Sequence, residues 1–316
     1  MFQQLDFAEF WTFVFFPLFP LACWLLFLFL CVNRRKVLAC EDQREVPWGI
    51  LDVFVLFGTM MFAKLVGQLC AMLSIAGRTG LPLDAINQKV AVENADLLVG
   101  FSSLFSLLQL VFGVFYLRFT QKAGWQDLGW NWQRWRRHLG IGLVTTLMVV
   151  PLVLLVNIIL HALLRVEYSH QVMLMVRHSL VMTGFSTILV APLVEEFHFR
   201  VVLQGWLQRV HDLHTERKIR LIQGDRRVEK IASDAGRGRK KEPVQPESRP
   251  PWWPVLLSSL LFASVHAGQG AAPYALFLFA IALGVLYRQT HSILPCLLVH
   301  LLLNLWSFSA LIYSLD

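Results

Sequence analysis

Apolar residues gather along this chain into long runs, at 10–32, 48–75, 96–118, 139–163, 179–203, 254–267, 271–288 and 292–314. An α-helix rises 1.5 Å per residue, so about 20 apolar residues cross the roughly 30 Å of hydrocarbon in a bilayer. The pattern predicts an all-α fold, a polytopic transmembrane helix bundle of about eight spans. The run at 254–267 is short and reads as a tilted or partial helix. The first run is preceded by Asp6, broken by Glu9, and too long for a signal-peptide core. A retained transmembrane helix is therefore expected there.

The polar segments between the runs set the orientation. Loop 33–47 carries Arg34, Arg35, Lys36 and Arg44, and loop 118–138 carries Arg118, Lys122, Arg134, Arg136 and Arg137. Loop 204–253 carries twelve Lys or Arg, whereas the alternate loops hold only Arg78, Lys89, Arg165 and Arg177. This asymmetry predicts basic loops in the cytoplasm and both termini outside, an orientation that an outward-facing reporter at residue 225 would contradict. "GWQDLGWNWQRWRR" (124–137) mixes Trp with Arg and reads as an interfacial stretch at the lipid headgroups. Residues 217–251 are charged, broken by Gly and Pro, and without apolar periodicity, so their second half is expected to be disordered. The predicted organisation is a set of N-terminal transmembrane helices (1–123) followed by a catalytic helix bundle (124–316), which a basic cytoplasmic insertion interrupts at about 209–251.

Composition agrees with a membrane setting. The chain is 56% hydrophobic and 16% charged, with a mean hydropathy of +0.56, against about a quarter charged residues in soluble domains. The net charge of +7 is accounted for by the loops, so membrane lipid is the expected partner and nucleic acid is not. The five cysteines show no disulfide or zinc spacing. The expected localisation is multi-pass in a bacterial-type inner membrane.

Several ionisable residues fall inside the runs, where burial is costly unless they are paired. "VAPLVEEFHFR" (190–200) carries Glu195, Glu196 and Arg200. Helical spacing puts Glu196 and Arg200 on one face as an ion pair and turns Glu195 elsewhere. Pro192 can loosen the helix and expose backbone groups beside them. "LFASVHAG" places His266 one turn after Phe262, and "LLVHLLLNLW" places His300 and Asn304 four apart. Counted from the basic side, Glu195, His266 and His300 fall roughly 12, 18 and 10 Å deep, so one buried chamber is expected.

A carboxylate and a histidine can hold and deprotonate a water, while a second histidine and an amide can stabilise an oxyanion. The inventory fits amide hydrolysis inside a membrane. Equally, Glu195, His266 and His300 make an acceptable catalytic zinc set. HExxH, GxSG and an intramembrane Gly-Asp dipeptide are all missing, which disfavours the usual metallo-, serine and aspartyl chemistries.

Glu-Glu-x-x-x-Arg (195–200), Phe-x-x-x-His (262–266) and His-x-x-x-Asn (300–304), in that order, resemble the CPBP family. Its members are the CAAX prenyl proteases and bacteriocin-processing, or Abi, intramembrane proteases. The resemblance covers roughly 125–310. It implies an intramembrane peptide hydrolase, glutamic or metallo in type, that acts on a membrane-associated or lipidated protein or peptide near the cytoplasmic face. By the same resemblance Glu195 and His266 activate the water, Glu196 and Arg200 support the site, and His300 and Asn304 form the oxyanion hole. Val201 stands where the family usually has glycine. His198 is a candidate third nitrogen ligand, set against a local hydrogen-bonding role. Asn157 and His161 read as interhelical hydrogen-bonders, Lys64 as snorkelling or paired with a carboxylate in the chamber, and His211 and His214 as solvated loop residues. The alternative function is a non-proteolytic scaffold or immunity-like membrane protein that keeps the polar chamber. A transporter is disfavoured by the lack of inverted halves.

Overall fold

The computed structural model describes residues 21–22, 24–25, 41, 45–164, 171–214 and 251–313. Nine helices are labelled here: α1 (Ile50–Thr79), α2 (Gln88–Glu93), α3 (Ala95–Thr120), α4 (Trp135–Leu164), α5 (Gln171–Val176), α6 (Leu180–His214), α7 (Trp253–Ser264), α8 (Ala272–Thr290) and α9 (Ile293–Tyr313). Among the described residues there is no strand, and six helices are long and apolar enough to cross a membrane. The fold is the all-α polytopic bundle expected. Its outer faces carry side chains such as Leu51, Phe54, Phe62, Phe115 and Phe119, all exposed. Such continuous apolar exposure suits lipid, not water.

Seven of the eight expected runs correspond to helices, and the first (10–32) lies largely outside the described residues. Two differ in extent. The run expected to end at 203 continues as α6 to His214. Residues 204–214 look polar in sequence, yet Leu203, Trp206 and Leu207 recur on one side and are buried or half-buried. Amphipathic spacing thus carries the helix beyond its apolar run. The start of the stretch expected as an insertion at about 209–251 is thus helical as far as His214, and 215–250 lie outside the described residues. His211 and His214 are helical, not in a loop, and His211 Nδ1 accepts from Trp253 Nε1 at 3.2 Å. The run at 254–267 forms only the twelve residues of α7, too few to span a bilayer. The chain then turns at Gly268 and Gly270, both with positive φ.

α1 and α3 pack as an antiparallel pair, closed at one end by Arg78, which donates to both carboxylate oxygens of Asp96 at 3.0 and 2.9 Å. α4, α8 and α9 pack together, α7 lies on α8, and α6 threads between these groups and contacts α3 and α9. A polar cap seals one end. Glu41 accepts from Arg134 (3.2 Å), Arg137 (3.1 Å) and His138 (3.2 Å), and its backbone N–H reaches Gln289 O. Gly129, at φ +81°, gives its carbonyl to Ile293 N–H, and a Cβ there would sit 3.0 Å from that nitrogen. This contact sets where α9 starts, and therefore the height of His300.

Candidate active site

α6 is not a uniform helix. Ser186–Val190 and Phe197–Gln204 are π-helical, and Ala191–Glu196 between them is α-helical. In the π register the Ala191 N–H reaches the Ser186 carbonyl, five residues back. The next bond in that register would join Thr187 O to residue 192, but Pro192 has no N–H to give. The orphaned carbonyl is taken by Asn304, whose Nδ2 donates to it at 2.8 Å. Pro192 thus exposes a backbone group, as its position suggested, and α9 supplies the partner. π segments of this kind recur at functional sites.

Glu196 and Arg200 form the expected pair, Nε to Oε2 at 3.2 Å, with both side chains fully buried. The other carboxylate oxygen of Glu196 accepts from His300 Nδ1 at 2.8 Å. Phe262 lies between these groups. Its ring is 4.9 Å from that of His266 and 6.0 Å from that of His300, with the Arg200 guanidinium 5.5 Å from its centroid. Behind Arg200 stands a support that no motif announces. Arg200 donates to Ser258 Oγ at 3.5 Å, and Ser258 donates to Gln204 Oε1 at 3.3 Å. Gln204 Nε2 in turn donates to Gly284 O at 2.7 Å. A Cβ on Gly284 would fall 2.8 Å from Val255 and 3.1 Å from Gln204. Gln204 had looked like loop, and nothing in one sequence marks which serine or glycine meets a distant helix.

Glu195 points the other way, as helical spacing requires, and lines a cavity of about 480 Å³ with His266, His300 and Asn304. Its Oε1 is 4.0 Å from His266 Nε2 and its Oε2 is 3.7 Å from His300 Nε2. All six expected residues, Glu195, Glu196, Arg200, His266, His300 and Asn304, are thus gathered at one place from two helices, α6 and α9, and one turn. The expected convergence occurs, but its premise needs correction. Glu195 sits near the middle of α6, not eight residues from its end, and His266 lies on the turn after α7, not within a span. There its Nδ1 donates to Phe262 O at 2.8 Å. In the neutral ring this leaves Nε2 as an acceptor facing Glu195.

Other candidates fall elsewhere. His198 is buried on the far side of α6, where Nδ1 donates to Val194 O (2.7 Å) and Nε2 accepts from Gln109 Nε2 (3.0 Å). That is the local hydrogen-bonding role, not a third ligand. Lys64 is exposed. Asn157 makes no interhelical hydrogen bond through Oδ1; it lines the cavity instead. The His161 side chain lies outside the described residues. Among the described residues no group of three or more His, Cys, Asp or Glu side chains is placed to hold a metal ion.

The family model for type II CAAX prenyl endopeptidase Rce1-like proteins matches residues 235–306. It takes in Phe262, His266, His300 and Asn304 but stops short of Glu195, Glu196 and Arg200, which reach the same site through the geometry above. Comparison with curated proteins and with solved structures found no match. Over residues 235–306 the chain is thus similar to the Rce1-like type II CAAX prenyl endopeptidases, in line with the family that its three motifs resemble.

Proposed function

We propose that the protein is an intramembrane endopeptidase that hydrolyses a peptide bond of a lipidated or otherwise membrane-associated protein or peptide with a water held by Glu195 and His266. The observation that carries this reading is the approach of Glu195 to both His266 and His300, within 4.0 Å, on the wall of one cavity. Water hydrogen-bonds at about 2.8 Å, so one molecule giving a hydrogen to each of two acceptors bridges roughly 4.4 Å. The 4.0 Å gap between His266 Nε2 and Glu195 Oε1 suits such a water.

As the water oxygen attacks the carbonyl carbon, Glu195 takes the proton it releases. The carbonyl oxygen becomes an oxyanion that needs donors in place beforehand. His300, its ring fixed by the Nδ1–H that it gives to Glu196, and Asn304 line the side of the cavity on which the oxyanion forms. Asn304 spends one amide hydrogen on Thr187 and keeps the other for the oxyanion. The proton on Glu195 then passes to the leaving nitrogen as the C–N bond breaks, which balances the reaction as water plus amide giving acid plus amine.

The test uses purified full-length protein in lipid nanodiscs and a fluorogenic farnesylated peptide ending in a CAAX box. Glu195→Gln and His266→Ala should each lower kcat/KM by about 10²–10⁴-fold with unchanged melting, and chelators should leave the wild type active. Wild-type rates in both variants would refute the assignment.

A further inference from the structure

The cavity extends past the reacting groups, and its wall on α4 carries Asn157. The Oδ1 of Asn157 is buried without a hydrogen-bond partner, a state that calls for an explanation in a folded protein. Beside it on α4 the cavity is lined by Val153 and Leu154, and from α9 by Ser307, Phe308 and Leu311.

Its height follows from helix packing. α4 and α9 both start at the polar cap, and Gly142 of α4 packs on the Pro295 carbonyl and Leu298 of α9. Asn157 lies fifteen residues beyond Gly142, while Asn304 lies six to nine beyond those α9 contacts. The difference of six to nine residues places Asn157 about 9–14 Å farther from the cap than Asn304. An extended peptide covers that distance in about three or four residues.

We propose that this end of the cavity holds an extended segment of the substrate's own polypeptide, and that Asn157 accepts a backbone N–H three or four residues from the scissile bond. The inference rests on the peptidase reading above. A lipid tail brings no donor and would leave the amide as unpaired as before. An unwound peptide inside a membrane has N–H groups with neither a helical partner nor water, so each needs an acceptor. Rotation about χ2, a soft torsion in carboxamides, turns Oδ1 into the cavity.

The experiment measures binding, not cleavage. On the Glu195→Gln background in nanodiscs, a labelled farnesylated CAAX peptide extended upstream is N-methylated one peptide bond at a time. A single methyl, three or four residues from the scissile bond, should weaken binding about five- to tenfold. Asn157→Leu should weaken the unmethylated peptide by a similar factor and be indifferent to that methyl. The methyl scan needs no second substitution, so it reads the contact even where Asn157→Leu folds poorly. The proposal is overturned if Asn157→Leu binds as tightly as its parent or feels the methyl equally. It is also overturned if only the farnesyl group matters, or if no peptide binds. Should the expected pattern hold while protein with Glu195 intact leaves the peptide uncut, the endopeptidase reading fails and this contact stands.

Discussion

Glu195 and Glu196 are neighbours in sequence, yet a step of about 100° around the helix gives them different work. Glu196 is fully buried and saturated by Arg200 and His300, whereas Glu195 keeps about a quarter of its side chain open to the cavity. The two should therefore fail differently when changed. Arg200→Leu leaves Glu196 charged and half-paired in a closed site, and breaking a buried pair in this way costs about 3–5 kcal/mol. A large fall in Tm of the detergent-solubilised protein is expected, beside an unchanged Tm for Glu195→Gln. An Arg200→Leu protein that melts with the wild type would show that the pair does not hold the site together.

At the scale of the element, α6 owes its chemistry to a break in its own ladder. The π register before Ala191 and the missing N–H of Pro192 leave Thr187 O for Asn304, so two helices are joined through a vacancy that proline creates. Pro192→Ala supplies the missing N–H and competes with Asn304 for that carbonyl. Tm should hold or rise, since an interior proline ordinarily weakens a helix. Peptidase activity should fall about tenfold to hundredfold, because small displacements of reacting groups are costly. Full activity in Pro192→Ala would mean that the Asn304–Thr187 bond is incidental. The Glu196–Arg200 pair was legible from i, i+4 spacing alone. The π segments were not, because register within a helix is decided by what packs on it.

Across the whole molecule, the cap couples three parts of the chain. Glu41 holds Arg134, Arg137 and His138, and His291 lies beside it in the short link between α8 and α9. Burial pushes the His291 imidazole down from its ordinary 6.5 to about 4, against an upward pull from Glu41. The unfolded chain then binds the proton more readily, so His291's contribution to stability is intact above about pH 6.5 and is lost as pH falls through about 4. The Tm in detergent should decline across that window. His291→Asn removes the titration and suits the left-handed backbone at this position (φ +45°). It should flatten the decline, and an equal slope in this variant would assign the effect to another group.

Much was settled by local rules acting on the chain alone. Length and apolarity of the runs dictate membrane helices, because no other open structure satisfies its backbone in lipid. Helical periodicity separates Glu195 from Glu196 and pairs His300 with Asn304. Tertiary structure decided the rest. It extended α6 past its apolar run, moved His266 onto a turn, set Gln204, Ser258 and Gly284 behind Arg200, and brought Asn157 to the cavity. Those outcomes depend on which helix lies beside which, at what height, and a spacing rule within one helix carries no information about its neighbours.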